Sequence, residues 1–372
     1  MPSWLAASVA LVALLVSLPA GAADSPAAPA PGAAAGPAPA PPAKIIAPGA
    51  AGAALYARYC KLCHAADGSG YAADEAPSLV SKTFLETASD AFIESGIRFG
   101  RPGTAMAAYS TVRGGPLDDA QIRDITAFLR AKGPRARVLP VAGGSGDAGR
   151  GGALYAHECR SCHGTPGEPG KAPKLYNSEL LLAASPAFLR HAIVNGRPPT
   201  RMPAFEKKLS AGQIDDLMAW LEQQRPPQPA ARQAPGAIPD DLPLVLNPEG
   251  KAPEFRLRDE RFVPAAQVLE ALEQKRRLIV VDARSTADWL VSHIPGALPM
   301  PYYDTQKLDR IPDDGTWVVA YCACPHHASG EVVDALRRRG FPHTAIIDEG
   351  ILEWRRRGYP LEGGPAGTVG AR

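Results

Sequence analysis

Four of the six cysteines in this 372-residue chain fall into two copies of one pattern: Cys60-Lys61-Leu62-Cys63-His64 and Cys159-Arg160-Ser161-Cys162-His163. Two thiols two residues apart can add to the two vinyl groups of a porphyrin. The histidine that follows then places its imidazole under the iron, so the pattern reads as covalent c-type haem attachment. A redox dithiol, half of a zinc site or chance would also give the spacing; two copies in register behind an export signal favour haem. The other two cysteines, Cys322 and Cys324, stand in Cys322-Ala323-Cys324-Pro325-His326-His327, where thiol redox chemistry and copper or zinc binding are both open.

A haem iron used for electron transfer commonly takes a thioether opposite its histidine, which raises its potential. The chain has five methionines. Met106 follows Gly100-Arg101-Pro102-Gly103-Thr104-Ala105, and Met202 follows Gly196-Arg197-Pro198-Pro199-Thr200-Arg201. Both lie in Gly/Pro-rich loops without apolar periodicity, so core filling does not account for them, and they are the expected distal ligands. Met218 is the rival in the second copy, but with Ile214, Leu217 and Leu221 it keeps helical spacing and reads as core. His191 is a weaker rival. Arg101 and Arg197 either neutralise a haem propionate or are solvated loop residues.

These residues sit in an internal repeat. Gly52-Ala53-Ala54-Leu55-Tyr56-Ala57 precedes the first motif as Gly151-Gly152-Ala153-Leu154-Tyr155-Ala156 precedes the second. Phe92 pairs with Phe188, Gln121-Ile122 with Gln213-Ile214, and Phe128 with Trp220. The offset shortens stepwise along the chain, as loop deletions in a duplicated domain would make it. Helices are expected over 51–59 and 150–158, where small residues permit close approach of a second helix. Amphipathic helices are expected over 117–130 and 209–224, with caps at Asp118-Asp119 and Ser210. Across about residues 50–225 this arrangement resembles class I cytochrome c. The resemblance implies two all-helical domains, each leaving a haem edge exposed.

From about residue 254 the pattern changes. Residues 263–277 read as a helix, Leu278 to Asp282 as a buried parallel strand, 317–321 as a strand, 329–339 as a helix and 344–347 as a third strand. Asp282-Ala283-Arg284, Asp288-Trp289, His293-Ile294-Pro295-Gly296-Ala297 and Glu349-Gly350-Ile351-Leu352-Glu353-Trp354 resemble the rhodanese signature over about 254–364. The resemblance implies an α/β domain and puts Cys322 where that family carries its persulfide cysteine. The loop departs from the family pattern: it lacks the usual Gly and Arg and is one residue longer. Cys322 and Cys324 can form a disulfide, or join His326 or His327 around copper or zinc. The Arg337–Arg339 and Arg355–Arg357 triplets either guide an anionic substrate or are solvated or docking faces.

Length fits two to three domains. Residues 1–23 read as a signal peptide: an apolar run from Trp4 to Leu18, then Pro19 and small residues ending in an A-x-A type site, without a preceding Lys or Arg. Left uncleaved it is a membrane anchor; either way the rest is exported, and a periplasmic location is expected. The expected organisation is a linker over 24–49, cytochrome c domains over 50–133 and 147–225, a linker over 226–253 and a rhodanese-like domain over 254–364. With 40 basic against 38 acidic residues, nothing draws the chain to nucleic acid. Three functions stay open: an exported dihaem carrier with a domain that handles a sulfur compound; a sulfurtransferase or sulfur-oxidising enzyme with internal haem acceptors; and a metal-binding or docking module at Cys322–His327. All three need redox partner proteins.

Overall fold

The computed structural model describes residues 50–73, 75–140, 143–166, 168, 170–227, 236–323 and 326–363. The expected signal peptide and N-terminal linker lie outside the described residues, as do part of the second linker and Cys324.

The first helical segment comprises α1 (Ala50–Tyr59), α2 (Lys61–His64), α3 (Lys82–Thr87), α4 (Asp90–Phe99) and α5 (Asp119–Arg130). The second repeats it as α6 (Ala148–Glu158), α7 (Arg160–His163), α8 (Ser178–Ala183), α9 (Pro186–Asn195) and α10 (Ala211–Gln223). The last helix of each begins at a full capping box, Asp118 with Gln121 and Ser210 with Gln213. There two otherwise orphaned backbone donors are satisfied reciprocally. Each last helix crosses the first helix of its copy at a glycine, and aromatic rings pack beside the crossing: Tyr56 on Phe128 at 5.2 Å and Tyr155 on Trp220 at 4.1 Å. The two copies share one apolar core, bridged where Phe92 and Phe188 meet at 4.6 Å.

The C-terminal segment runs β1 (Phe262–Val263), α11 (Ala265–Glu273), β2 (Leu278–Asp282), α12 (Thr286–Val291), β3 (Leu298–Pro299), β4 (Trp317–Tyr321), α13 (Ala328–Arg338), β5 (Thr344–Ile347) and α14 (Gly350–Arg356). The sheet is wholly parallel in the order β1-β5-β4-β2-β3. Every residue of β2 and β5 is buried, as strands covered on both faces require. Separate apolar cores fill the two faces. The helix expected over 263–277 is shorter at both ends. Val263 pairs with Ile347 in β1, Pro264 caps the helix, and the helix ends at Glu273. β1 and β3 have two residues each, too few for a run of apolar residues to announce them.

Candidate haem-binding and thiol sites

Each Cys-x-x-Cys-His motif continues its leading helix by one tight turn. Cys60 N–H donates to the Tyr56 carbonyl at 2.9 Å and His64 N–H to the Cys60 carbonyl at 3.0 Å; Cys159 and His163 repeat both bonds at 2.9 Å. The Tyr56 hydroxyl clamps the turn from below by donating to the Ala65 carbonyl at 2.8 Å, and Tyr155 does the same to Gly164 at 2.7 Å. His64 and His163 are buried, and burial holds their pKa values below the usual imidazole range, partly opposed by a backbone hydrogen bond. That bond joins Nδ1 to the Pro77 carbonyl at 2.9 Å and, in the second copy, to the Pro173 carbonyl at 2.7 Å. A neutral ring that donates through Nδ1 is fixed in the tautomer whose Nε2 lone pair is available to a metal. Burial also pushes the Cys60 thiol up to about 12 and Cys159 up to about 11.

The methionine loops are also copies. Arg101 N–H donates to the Met106 carbonyl at 2.8 Å, Thr104 N–H to Arg101 at 3.0 Å, and Met106 N–H to the Thr104 hydroxyl at 3.1 Å. Arg197, Thr200 and Met202 repeat the set at 3.0, 2.7 and 3.2 Å. Both loops open at a left-handed glycine, Gly100 and Gly196, where a Cβ would lie within 2.7 Å of backbone. Met202 and Met218 both pack partly buried against the helical core, so packing does not separate them; Met202, like Met106, lies in the duplicated loop.

Arg101 and Arg197 are not solvated. Their guanidiniums lie over Phe92 and Phe188, and burial lowers each pKa to about 10. Arg197 Nη1 reaches the other copy, donating to the Thr83 carbonyl at 2.8 Å and the Thr87 hydroxyl at 2.7 Å. Among the described residues its Nη2 is buried without a partner, as is Nδ1 of His191. Paired thiols, imidazoles of fixed tautomer and a buried guanidinium nitrogen wanting an acceptor fit a haem with its carboxylates.

Pro77 and Pro173 were not among the expected site residues. A sequence signal existed: Ala76-Pro77-Ser78-Leu79 and Ala172-Pro173-Lys174-Leu175 repeat one pattern behind the two motifs.

Cys322 closes β4 and is 2% exposed. Its Sγ lies 3.3 Å from the Ser329 hydroxyl in the first turn of α13, at the positive end of that helix. The Asp-Ala-Arg motif braces the neighbouring strand end. Arg284 Nη2 donates to Asp282 at 2.6 Å, and the buried Tyr321 hydroxyl donates to the same carboxylate at 2.7 Å. His326 bonds Asp348 at 2.9 Å, a carboxylate held below its usual range chiefly by Arg258. Among the described residues no three His, Cys, Asp or Glu gather as a metal site. His327 lines a cavity of about 530 Å³ with Tyr71 and Glu75 from the first haem loop and Thr200 and Arg201 from the second methionine loop. The arginine triplets are exposed, and members of both bond within the domain: Arg337 with Thr344, Arg339 with Asp309, and Arg356 and Arg357 with Glu353.

Residues 47–129 and 146–221 match the family "Cytochrome C oxidase, cbb3-type, subunit III", and residues 264–357 match the rhodanese-like domain. The chain is 30% identical over 183 residues to the cbb3-type cytochrome c oxidase subunit CcoP of Azospirillum sp., with 44% of this chain and 57% of that protein covered. It is 28% identical over 173 residues to the cytochrome bc1 complex cytochrome c subunit of Mycobacterium bovis, covering 44% and 59%. It thus spans little more than half the length of these relatives. A rhodanese-like domain from Anabaena sp. aligns at 25% identity and a TM-score of 0.26, covering 29% of this chain and 85% of that one. Among the described residues no helix is long and apolar enough to cross a membrane. The chain thus carries two stretches that match a cytochrome c family, with the covalently bound haem such domains imply, followed by a C-terminal stretch that matches the rhodanese-like domain.

Proposed function

We propose that this chain is an exported, periplasmic two-haem electron carrier whose rhodanese-like domain handles a small sulfur compound at Cys322. Cys60 and Cys63 hold one haem and Cys159 and Cys162 the other, with His64 and Met106, and His163 and Met202, as the axial ligands. The observation that carries this reading is the duplicated imidazole geometry, in which Nδ1 of each histidine is bonded to a proline carbonyl. When bound, each haem supplies an iron that takes or gives one electron. The protein fixes ring orientation, buries the histidines and offers Arg197 Nη2 to a carboxylate. The respiratory complexes named for the relatives support redox partner proteins.

Joining hydrosulfide to the Cys322 thiolate as a persulfide releases one proton and two electrons. Two one-electron carriers match that number. Cys324 lies beside Cys322 in sequence and is the candidate second thiol; copper or zinc at Cys322, Cys324, His326 and His327 is the alternative chemistry. The near-complete burial of Cys322 favours, as a second reading, a docking domain without sulfur chemistry.

Two measurements test the proposal. Acid-acetone extraction of unfolded holoprotein should leave haem on the chain, with iron and haem each near two per chain; one haem, or haem in the organic phase, defeats the first half. Anaerobic hydrosulfide should reduce the haems of the intact protein and not those of Cys322→Ser. Equal reduction of both would leave the docking reading.

A further inference from the structure

The rhodanese-like domain touches the first cytochrome domain through two adjacent tyrosines. The Tyr302 hydroxyl donates to the Tyr59 carbonyl at 2.8 Å, and the Tyr109 hydroxyl lies 3.2 Å from the same oxygen and 3.3 Å from Tyr302. The Tyr303 ring meets Tyr59 edge-on at 5.0 Å, and Arg58 donates to the Tyr303 carbonyl at 3.1 Å. Tyr59 is peptide-bonded to Cys60, the first thiol of the first haem motif.

The same tyrosine is tied back to the thiol site. Tyr302 N–H donates to the Ala283 carbonyl at 3.0 Å, and Ala283 N–H donates to the Tyr321 carbonyl at 2.9 Å. Tyr321 is peptide-bonded to Cys322. Three hydrogen bonds and the covalent segments between them therefore connect Cys322 to Cys60 without a gap. His327, farther along the loop, instead lines the cavity of about 530 Å³ whose other walls are the first haem loop and the second methionine loop. Electronic coupling falls steeply across open space and far less along bonds and hydrogen bonds.

We propose that Tyr302 is the positioning residue that joins the Cys322 site to the first haem motif, so that this site communicates with Cys60 ahead of the second motif. The inference rests on the reading of Cys322 given above and adds a direction to it. Burial holds the Tyr302 phenol well above its usual pKa, so it stays a donor to the Tyr59 carbonyl. The second motif then follows the first, across the interface where Phe92 meets Phe188 and Arg197 crosses to Thr83.

Tyr302→Phe keeps the ring and removes only the hydroxyl. Arg58→Gln serves as the control, since it weakens the same interface but leaves the connected path intact. Full-length holoprotein is titrated spectroelectrochemically and mixed anaerobically with hydrosulfide, and Met106→Ala and Met202→Ala backgrounds distinguish the two haems. Tyr302→Phe should shift the midpoint potential of the first haem alone and slow hydrosulfide reduction several-fold, with the native helical content by circular dichroism unchanged; the first haem should be reduced before the second. Arg58→Gln should do none of this. Unchanged potentials and rate in Tyr302→Phe, prior reduction of the second haem, or an equal effect of Arg58→Gln would overturn the proposal. If Cys322→Ser is reduced as fast as the parent, the sulfur reading fails. The potential shift in Tyr302→Phe then still decides whether Tyr302 acts on the first haem.

Discussion

Gly52 lies against Asp124 so closely that a Cβ at Gly52 would stand 2.0 Å from the Asp124 carbonyl oxygen and 2.9 Å from Phe128 Cβ. Gly151 repeats the relationship with Asp216 at 2.0 Å and Trp220 at 2.9 Å. The obstacle in each case is helix backbone, which cannot rotate aside. Gly52→Ala and Gly151→Ala should each cost about 1–3 kcal/mol as overpacking of a tight crossing, read as a lowered urea midpoint. A neutral result would mean that the helices part without penalty.

The proposed methionine ligands make a spectroscopic prediction. Oxidised holoprotein should show the weak near-infrared sulfur-to-iron band, and Met106→Ala and Met202→Ala should each remove about half of it. If Met202→Ala leaves the band intact and Met218→Ala removes half, the second ligand is Met218.

Arg197 is expected to hold the two cytochrome domains together. Arg197→Leu removes two hydrogen bonds from a charged donor, to the Thr83 carbonyl and the Thr87 hydroxyl. It should destabilise the pair by about 2–3 kcal/mol, measured by urea unfolding followed at the Soret band. A loss that Thr87→Val does not reproduce in part would place the effect elsewhere in Arg197.

Asp288, in the first turn of α12, supplies a pH dependence. Burial raises its pKa to about 6, opposed by Arg284 and Arg355 and reinforced by Asp282. A carboxyl raised on folding contributes stability that is complete below its unfolded pKa, near 3.8, and is lost as pH rises through about 6. Asp288→Asn should therefore gain more stability relative to the parent at about pH 7.5 than at about pH 4.5. Equal gains at both pH values would remove Asp288 as the titrating group.

The duplicated helices and their caps, and strands β2, β4 and β5, were legible in the sequence because each rests on local signals: the repeat around the Cys-x-x-Cys-His motifs, cap residues and continuous apolar runs. The position of Val263 was not. A two-residue strand is defined by its partners Ile346 and Ile347, far along the chain. The ambiguity at Arg101 and Arg197 had the same origin, since a guanidinium between two glycine-flanked turns reads as solvated until Phe92 and Phe188 are seen beneath the pair. The Tyr109–Tyr302 contact joins segments with no shared pattern, and no sequence signal marks it.

Tyr59 and Tyr302 are 243 residues apart, so their contact forms late. The first motif is synthesised well before Tyr302, and domains fold as they emerge. Enzymatic work on the Cys60 side of that motif has an interval that ends when the tyrosines close over it. The second motif, with Cys162 still exposed, has no such deadline. With a haem at each motif, as proposed, the two copies differ in when they must mature, and a delay in haem delivery penalises the first copy more than the second.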